Sequence, residues 1–212
     1  MVEQVTVNHL VPGSSPGWGV SEKILWGKML KKGFITEQKI PFWYVMYPDV
    51  QQNKQFKESI LKIREENPQN HDLMKQNTGW HSSYSLHKET NYFDDLCMFT
   101  SSACSFIAED YFGHTPPEPY TVYNMWAMMY ENGNHTAEHD HWPSVFAAVY
   151  FVDCEEGSSP LKFCGASIVP KNGALVIFPG IVKHQVLPTD TNRIVLSMNL
   201  EMDIERMGMM SK

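Results

Sequence analysis

Cysteine is scarce in this sequence of 212 residues: there are four, Cys97, Cys104, Cys154 and Cys164, and no two are spaced as a CxxC pair. A zinc site built from cysteines is therefore not expected. A chain of this length buries about 70% of its unfolded surface and needs no disulfide staples, so reduced thiols in a cytoplasm are the expectation. Basic residues are also few, 17 against 24 acidic ones, for a net charge of -7. A partner held through phosphate contacts requires a basic face, which argues against nucleic acid. No window approaches the roughly 18 uninterrupted apolar residues of a membrane helix, and Met1 to Leu10 shows no basic segment followed by an apolar one, so a soluble, unsecreted protein is expected. Nucleophile elbows, phosphate-binding loops and paired-carboxylate motifs are absent too.

What is present divides the chain into two halves of different character. Val11 to Gly19 reads VPGSSPGWG, a run of turn formers that suits a loop or an extended arm. Between Gln52 and Asn67 the residues Phe56, Ile60 and Ile63 recur at helical spacing, and Pro68 stops the segment. A second helix is predicted from Asp94 to Gly113, with Leu96, Phe99, Ala103, Phe106 and Ile107 on one side, acids in the first turn and a glycine at the end. After Pro119 short apolar or alternating runs take over: Tyr120 to Met129, Val145 to Val152, Ala174 to Phe178 and Arg193 to Met202, separated by turn sequences. No linker is long enough to free one half from the other. The expectation is one α+β domain over residues 1–212, mainly β, with helices of the first half packed on a sheet made by the second.

The densest local chemistry is His139-Asp140-His141. Residues two apart in a strand share a face, so one strand can offer two imidazoles to one ion. A third is available in His184, which follows the strand ALVIF and the turn Pro179-Gly180, where the chain can swing back over the same pocket. Asp140 points away in a regular strand and reaches a metal only through a bulge, which leaves it as an alternative ligand. His135 and Glu138 suit a loop beside the site. His9, His71, His81, His87 and His114 are read as surface or core histidines. In RIVLSMNLEM, Ile194, Leu196, Met198, Leu200 and Met202 alternate with Arg193, Val195, Ser197, Asn199 and Glu201. One face is apolar; the other carries a guanidinium that faces either water or a polar barrel interior, and whose planar fork can hold a carboxylate through two parallel hydrogen bonds.

The segments NMWAMMYENGNHTAEHDHWPSVFAAVYFVD and KNGALVIFPGIVKHQVLPTDTNRIVLSMNL, with the earlier GWHSSYSLH, resemble the 2-oxoglutarate and Fe(II)-dependent oxygenases of the double-stranded β-helix superfamily, and more narrowly a small branch known from bacteria and their viruses. The resemblance covers roughly Gly79 to Leu200. It implies a cupin-like jelly roll over residues 119–203; by the patterns above, 1–118 is expected to be a helical and loop part, its beginning unmatched by the resemblance, and 204–212 a loose tail. The resemblance also implies that His139, His141 and His184 hold Fe(II), that Arg193 pairs with the distal carboxylate of 2-oxoglutarate, and that Tyr150 and Ser197 add hydrogen bonds to it. Trp126 is read as a packing residue.

In most of that superfamily the metal is held by two histidines and a carboxylate, and here His141 stands at the carboxylate's place. The implied activity is hydroxylation of a small-molecule or protein substrate with release of succinate and CO2, in the cytoplasm of a bacterial or virus-infected cell. Two alternatives stay open: a three-histidine cupin-like metalloenzyme that does not use 2-oxoglutarate, and a non-catalytic metal-binding jelly-roll module. A homodimer is compatible with the strand edges.

Overall fold

Alternating strands with one apolar face must bury that face, and here the apolar residues of the long strands find helices on one side and a second sheet on the other. A computed structural model describes residues 29–34, 40–131 and 133–202. The turn-rich Val11 to Gly19 segment and the tail 204–212 lie outside the described residues. In chain order the elements are β1 (Lys31–Phe34), β2 (Pro41–Met46), α1 (Val50–Glu66), β3 (Trp80–His81), α2 (Leu86–Glu89), α3 (Asp94–Phe112), β4 (Tyr120–Tyr130), β5 (Asn134–His139), β6 (Phe146–Cys154), β7 (Leu161–Phe163), β8 (Ala166–Ile168), β9 (Ala174–Pro179), β10 (His184–Thr189) and β11 (Arg193–Met202).

Seven strands form one antiparallel sheet in the order β1-β2-β9-β6-β11-β4-β3, and four form a second in the order β5-β10-β7-β8. At the centre of the larger sheet β11 pairs along its whole length with β4 and along most of it with β6. Its even positions, Ile194, Leu196, Met198 and Leu200, are buried beneath the helices together with Met125, Phe146, Ala148 and Tyr150. Each such fully buried large side chain contributes about 1.5–3 kcal/mol. Residues of opposite parity, among them Trp126, Tyr130, Val149, Phe151 and Val195, meet Leu161, Phe163 and Val186 of the smaller sheet.

The two long helices close the other side. Asp49 caps α1 by accepting a 2.9 Å hydrogen bond from the Gln52 backbone N–H, and Phe56 and Ile60 turn inward. α3 buries Leu96, Phe99, Ala103 and Ile107 as the spacing predicts, and adds Thr100, Cys104 and Ala108. It ends at Gly113, whose φ of 74° is the left-handed conformation that glycine adopts without a Cβ penalty. The part before residue 119 is not only helix and loop, because β1, β2 and β3 extend both edges of the larger sheet. Those strands are short, and their sequence alternation is too brief to separate from loop. All four cysteines are free. Among the described residues no helix is long and apolar enough to cross a membrane.

Candidate metal centre

Between the two sheets lies a cavity of about 570 Å³, and the three histidines of the sequence pattern converge on it. His139 is the last residue of β5 and sits opposite His184, the first residue of β10, in the antiparallel register. His141 arrives differently from the expectation. The strand ends at His139, so strand alternation does not bring His141 in; a turn does, pinned by the His141 N–H donating to Gly180 O (2.7 Å) and the Gly180 N–H donating to Val145 O (2.9 Å). The approach is close enough that a Cβ on Gly180 would lie 2.1 Å from Ser144 O. The Pro179-Gly180 turn therefore does two jobs, returning the chain toward His184 and seating His141.

One nitrogen from each ring lies within 4.8 Å of the others. Ring centroids are 4.4 Å apart for His139 and His184, and 5.0 Å apart for both pairs that include His141. His139 Nδ1 contacts Ala137 O at 2.8 Å and His184 Nδ1 contacts Val182 O at 3.1 Å. A carbonyl can only accept, so both Nδ1 atoms carry the proton and both Nε2 atoms present a lone pair, the arrangement that fixes tautomer and orientation for a metal ligand. The Nε2 atoms of His141 and His184 stand 3.3 Å apart. Burial holds all three rings neutral: the pKa of His141 is pushed down to about 3 by desolvation and then by His139, that of His184 falls well below the ordinary value for the same reasons, and that of His139 is lowered. Neutral imidazoles with converging lone pairs fit a divalent cation. Phe178 packs edge-on against His184 at 4.8 Å and walls the site on its apolar side.

Asp140 does not join the cluster. It is exposed, and its Oδ1 accepts from the Trp142 backbone N–H at 3.1 Å, so its role as an alternative ligand is set aside in favour of a turn-forming one. Arg193 lines the same cavity, with 1% of its surface exposed. Its guanidinium lies 5.3 Å from the ring centroids of both Tyr130 and Phe151. Nη1 donates to Ser159 O, while buried Nε has no partner among the described residues. No ion pair to Arg193 occurs among the described residues. Ser197 also lines the cavity.

Tyr150 requires a correction. Its parity in β6 is that of Phe146 and Ala148, which places it under the helices, where its hydroxyl donates to Asn53 Oδ1 at 2.8 Å. Val149, not Tyr150, faces the cavity.

Residues that sequence reasoning passed over are also present. Trp126 is more than a packing residue, since it lines the cavity with its ring 5.7 Å from that of His141. Tyr130 and Thr136 share a 2.6 Å hydroxyl contact on the wall. His81, read as structural, is fully buried and lines the cavity. The alternation of β4 could have flagged Tyr130 once its pairing with β11 was known; His81 carried no such signal.

No family model and no curated protein matches the sequence. Solved structures do. The viral collagen prolyl hydroxylase of Paramecium bursaria Chlorella virus-1, determined with 2-oxoglutarate, aligns at a TM-score of 0.55 with 12% identity, over 75% of this chain and 94% of that one. A prolyl-4-hydroxylase from Pseudomonas putida aligns at 0.56 with 13% identity, over 76% and 92%. The α-ketoglutarate-dependent carbocyclase SnoK of nogalamycin biosynthesis aligns at 0.58 with 11% identity, over 74% and 78%. The chain has the jelly-roll fold of the 2-oxoglutarate and Fe(II)-dependent oxygenases. Within that fold the three-histidine cluster fits the expected HxH and distant-His pattern.

Proposed function

We propose that the chain is a non-haem oxygenase that uses Fe(II) and 2-oxoglutarate to hydroxylate a small-molecule or protein substrate. The observation that carries this reading is the pairing, in one cavity, of three converging neutral imidazoles with a buried guanidinium that no acidic side chain neutralises among the described residues. His139, His141 and His184 hold the metal. Arg193 receives the distal carboxylate of 2-oxoglutarate, and Ser197 adds a hydrogen bond from the same face of β11. When bound, the iron and oxo-acid would supply an oxidative decarboxylation driven by dioxygen, one oxygen atom going into succinate as CO2 leaves and the other replacing a C–H by C–OH on the substrate.

The chain's own part is positional and electrostatic. The carbonyls of Ala137 and Val182 lock two of the rings in the ligating tautomer. Tyr130 and Phe151 sandwich the Arg193 guanidinium and hold its fork without neutralising it, so an incoming carboxylate meets a preorganised, dehydrated partner. Three neutral ligands leave the full dipositive charge on the ion, where two histidines and a carboxylate would leave one unit, so the site favours an anionic co-ligand. No side-chain base is required. The unbridged cysteines suit a reducing cytoplasm.

Anaerobic titration of the protein with Fe(II) and then 2-oxoglutarate tests the proposal. The expected result is a weak visible charge-transfer band that appears only with both. Metal-loaded protein that gives no band with 2-oxoglutarate would refute it. The neutral His141 at the carboxylate's place favours a second reading, a cupin-like metalloenzyme without an oxo-acid, and under that reading Arg193→Ala leaves turnover intact.

A further inference from the structure

His81 is fully buried, and the hydrogen bond its ring makes runs from Nδ1 to the backbone carbonyl of Ser82. A carbonyl accepts, so Nδ1 holds the proton and Nε2 is a bare lone pair, buried and without a partner among the described residues. Burial lowers the pKa of the ring and keeps it in that neutral form. The ring stacks on Trp126, with centroids 5.8 Å apart and planes 14° apart, and the residue is part of the cavity lining.

A second unmatched acceptor lines the same cavity: Asn199 Oδ1 is buried and has no partner among the described residues. Unpaired buried acceptors are rare in folded proteins, and two on one cavity wall define a place for a ligand that donates. The charged groups there agree. Apart from Arg193 the charged side chains lining the cavity are the carboxylates of Asp140 and Glu201, and no lysine is among them. If Arg193 takes the carboxylate of the oxo-acid, the remaining wall is acceptor-rich and negative, with the rings of Tyr84 and Trp126 lining it; the ring of Tyr123 already has Lys88 Nζ 5.5 Å from its centroid.

We propose, building on the oxygenase reading, that the organic substrate carries a cationic nitrogen, an amine or guanidine on an aliphatic stem, which donates to His81 Nε2, while a second donor of the same substrate reaches Asn199 Oδ1 and Asp140 and Glu201 balance its charge. His81 is then the specificity residue of the cavity. The stem has an apolar lip to rest on in Leu73 and Met74, both exposed and both lining the cavity.

The test uses the full chain loaded with Zn(II) and 2-oxoglutarate, which cannot turn over. Nα-acetyl-arginine amide is compared with its neutral isostere Nα-acetyl-citrulline amide, and Nα-acetyl-lysine amide with Nα-acetyl-norleucine amide, by calorimetry and by the histidine ring 15N resonances. The cationic probe of each pair is expected to bind at least about tenfold more tightly and to move the His81 Nε2 resonance. A peptide carrying the same side chain, run in parallel, assigns the source by its affinity relative to the free amide: a protein if tighter, a metabolite if weaker. His81→Phe keeps the stack on Trp126 but removes the acceptor, and should lose about tenfold in probe affinity with Zn(II) and 2-oxoglutarate binding unchanged; His81→Gln should recover part of the loss. Equal binding of charged and neutral probes by the unaltered chain, a comparison that needs no variant, would overturn the proposal. So would a failure of every probe while Zn(II) and 2-oxoglutarate bind normally. If Zn(II) and 2-oxoglutarate themselves do not bind, the oxygenase reading fails and this proposal falls with it.

Discussion

Arg193→Met separates the two roles that a buried guanidinium can have. As a structural group, Arg193 is an ion that, among the described residues, makes one hydrogen bond, to Ser159 O, and has two aromatic neighbours, Tyr130 and Phe151. Losing those interactions costs about 1.5–3 kcal/mol for the charge-assisted hydrogen bond and about 1 kcal/mol for each ring. Against this, replacing a buried ion by an apolar side chain of similar length removes a desolvation penalty, and such replacements are neutral or stabilising by about 1–4 kcal/mol. The two sides nearly cancel, so the melting temperature of the unliganded variant should stay within about 6 °C of the parent, at about 2–4 °C per kcal/mol for a chain of this size.

The ligand response should change far more. A co-substrate at a hundredfold excess over its dissociation constant stabilises the native state by about 2.7 kcal/mol, or about 5–11 °C. Removing one side of a buried charge pair weakens binding by about 2–5 kcal/mol, which is enough to abolish that shift at the same concentration. The assay is a thermal shift on Co(II)-loaded protein with and without 2-oxoglutarate. A variant that melts normally and still shows the full 2-oxoglutarate shift would refute the assignment of Arg193. A variant that collapses without ligand would show that the guanidinium is structural.

Other substitutions test the geometry from different sides. Tyr150→Phe removes the 2.8 Å hydrogen bond to Asn53 on the helix side and should cost about 1 kcal/mol in chemical denaturation while 2-oxoglutarate affinity is unchanged; a large loss of affinity would return Tyr150 to the site. Gly180→Ala forces a Cβ into Ser144 O and displaces the turn that seats His141, so Co(II) affinity should fall by at least about tenfold, read in the d–d absorption spectrum. Asp140→Ala should leave that spectrum and the affinity unchanged, because the carboxylate is engaged with the Trp142 N–H. The pH dependence follows from lowered imidazole pKa values. The unfolded chain takes up protons below about 6.5 while His139, His141 and His184 in the folded chain remain neutral, so metal-free stability should be intact above about 6.5 and fall as the pH drops below it. Metal affinity, by contrast, should persist well below the limit near 6 that unperturbed histidines would set, since at least His141 stays deprotonated to about 3. A metal-binding midpoint at pH 6 or above would contradict the buried geometry.

Whatever depends on spacing along the chain was legible before any coordinates. The 3.6-residue recurrence of Leu96, Phe99, Ala103 and Ile107 gave the buried face of α3, and the two-residue alternation of β11 separated Ile194, Leu196 and Met198 from Arg193, Val195 and Ser197. The histidine trio was visible as well: two histidines two apart and a third after a returning turn pick out the three rings that the structure brings together. What depends on register between distant strands was not legible. Tyr150 sits one residue from the cavity-lining Val149, and in a strand one residue is the difference between the two faces of a sheet. His81 belongs to a two-residue strand with no period to read, and it enters the cavity wall only because β3 docks on β4 beside Trp126. Local periodicity is set by backbone geometry that each segment carries with it. Which faces meet, and which buried polar atoms are left without partners, is set by contacts between segments far apart in sequence, and those exist only once the chain has closed on itself.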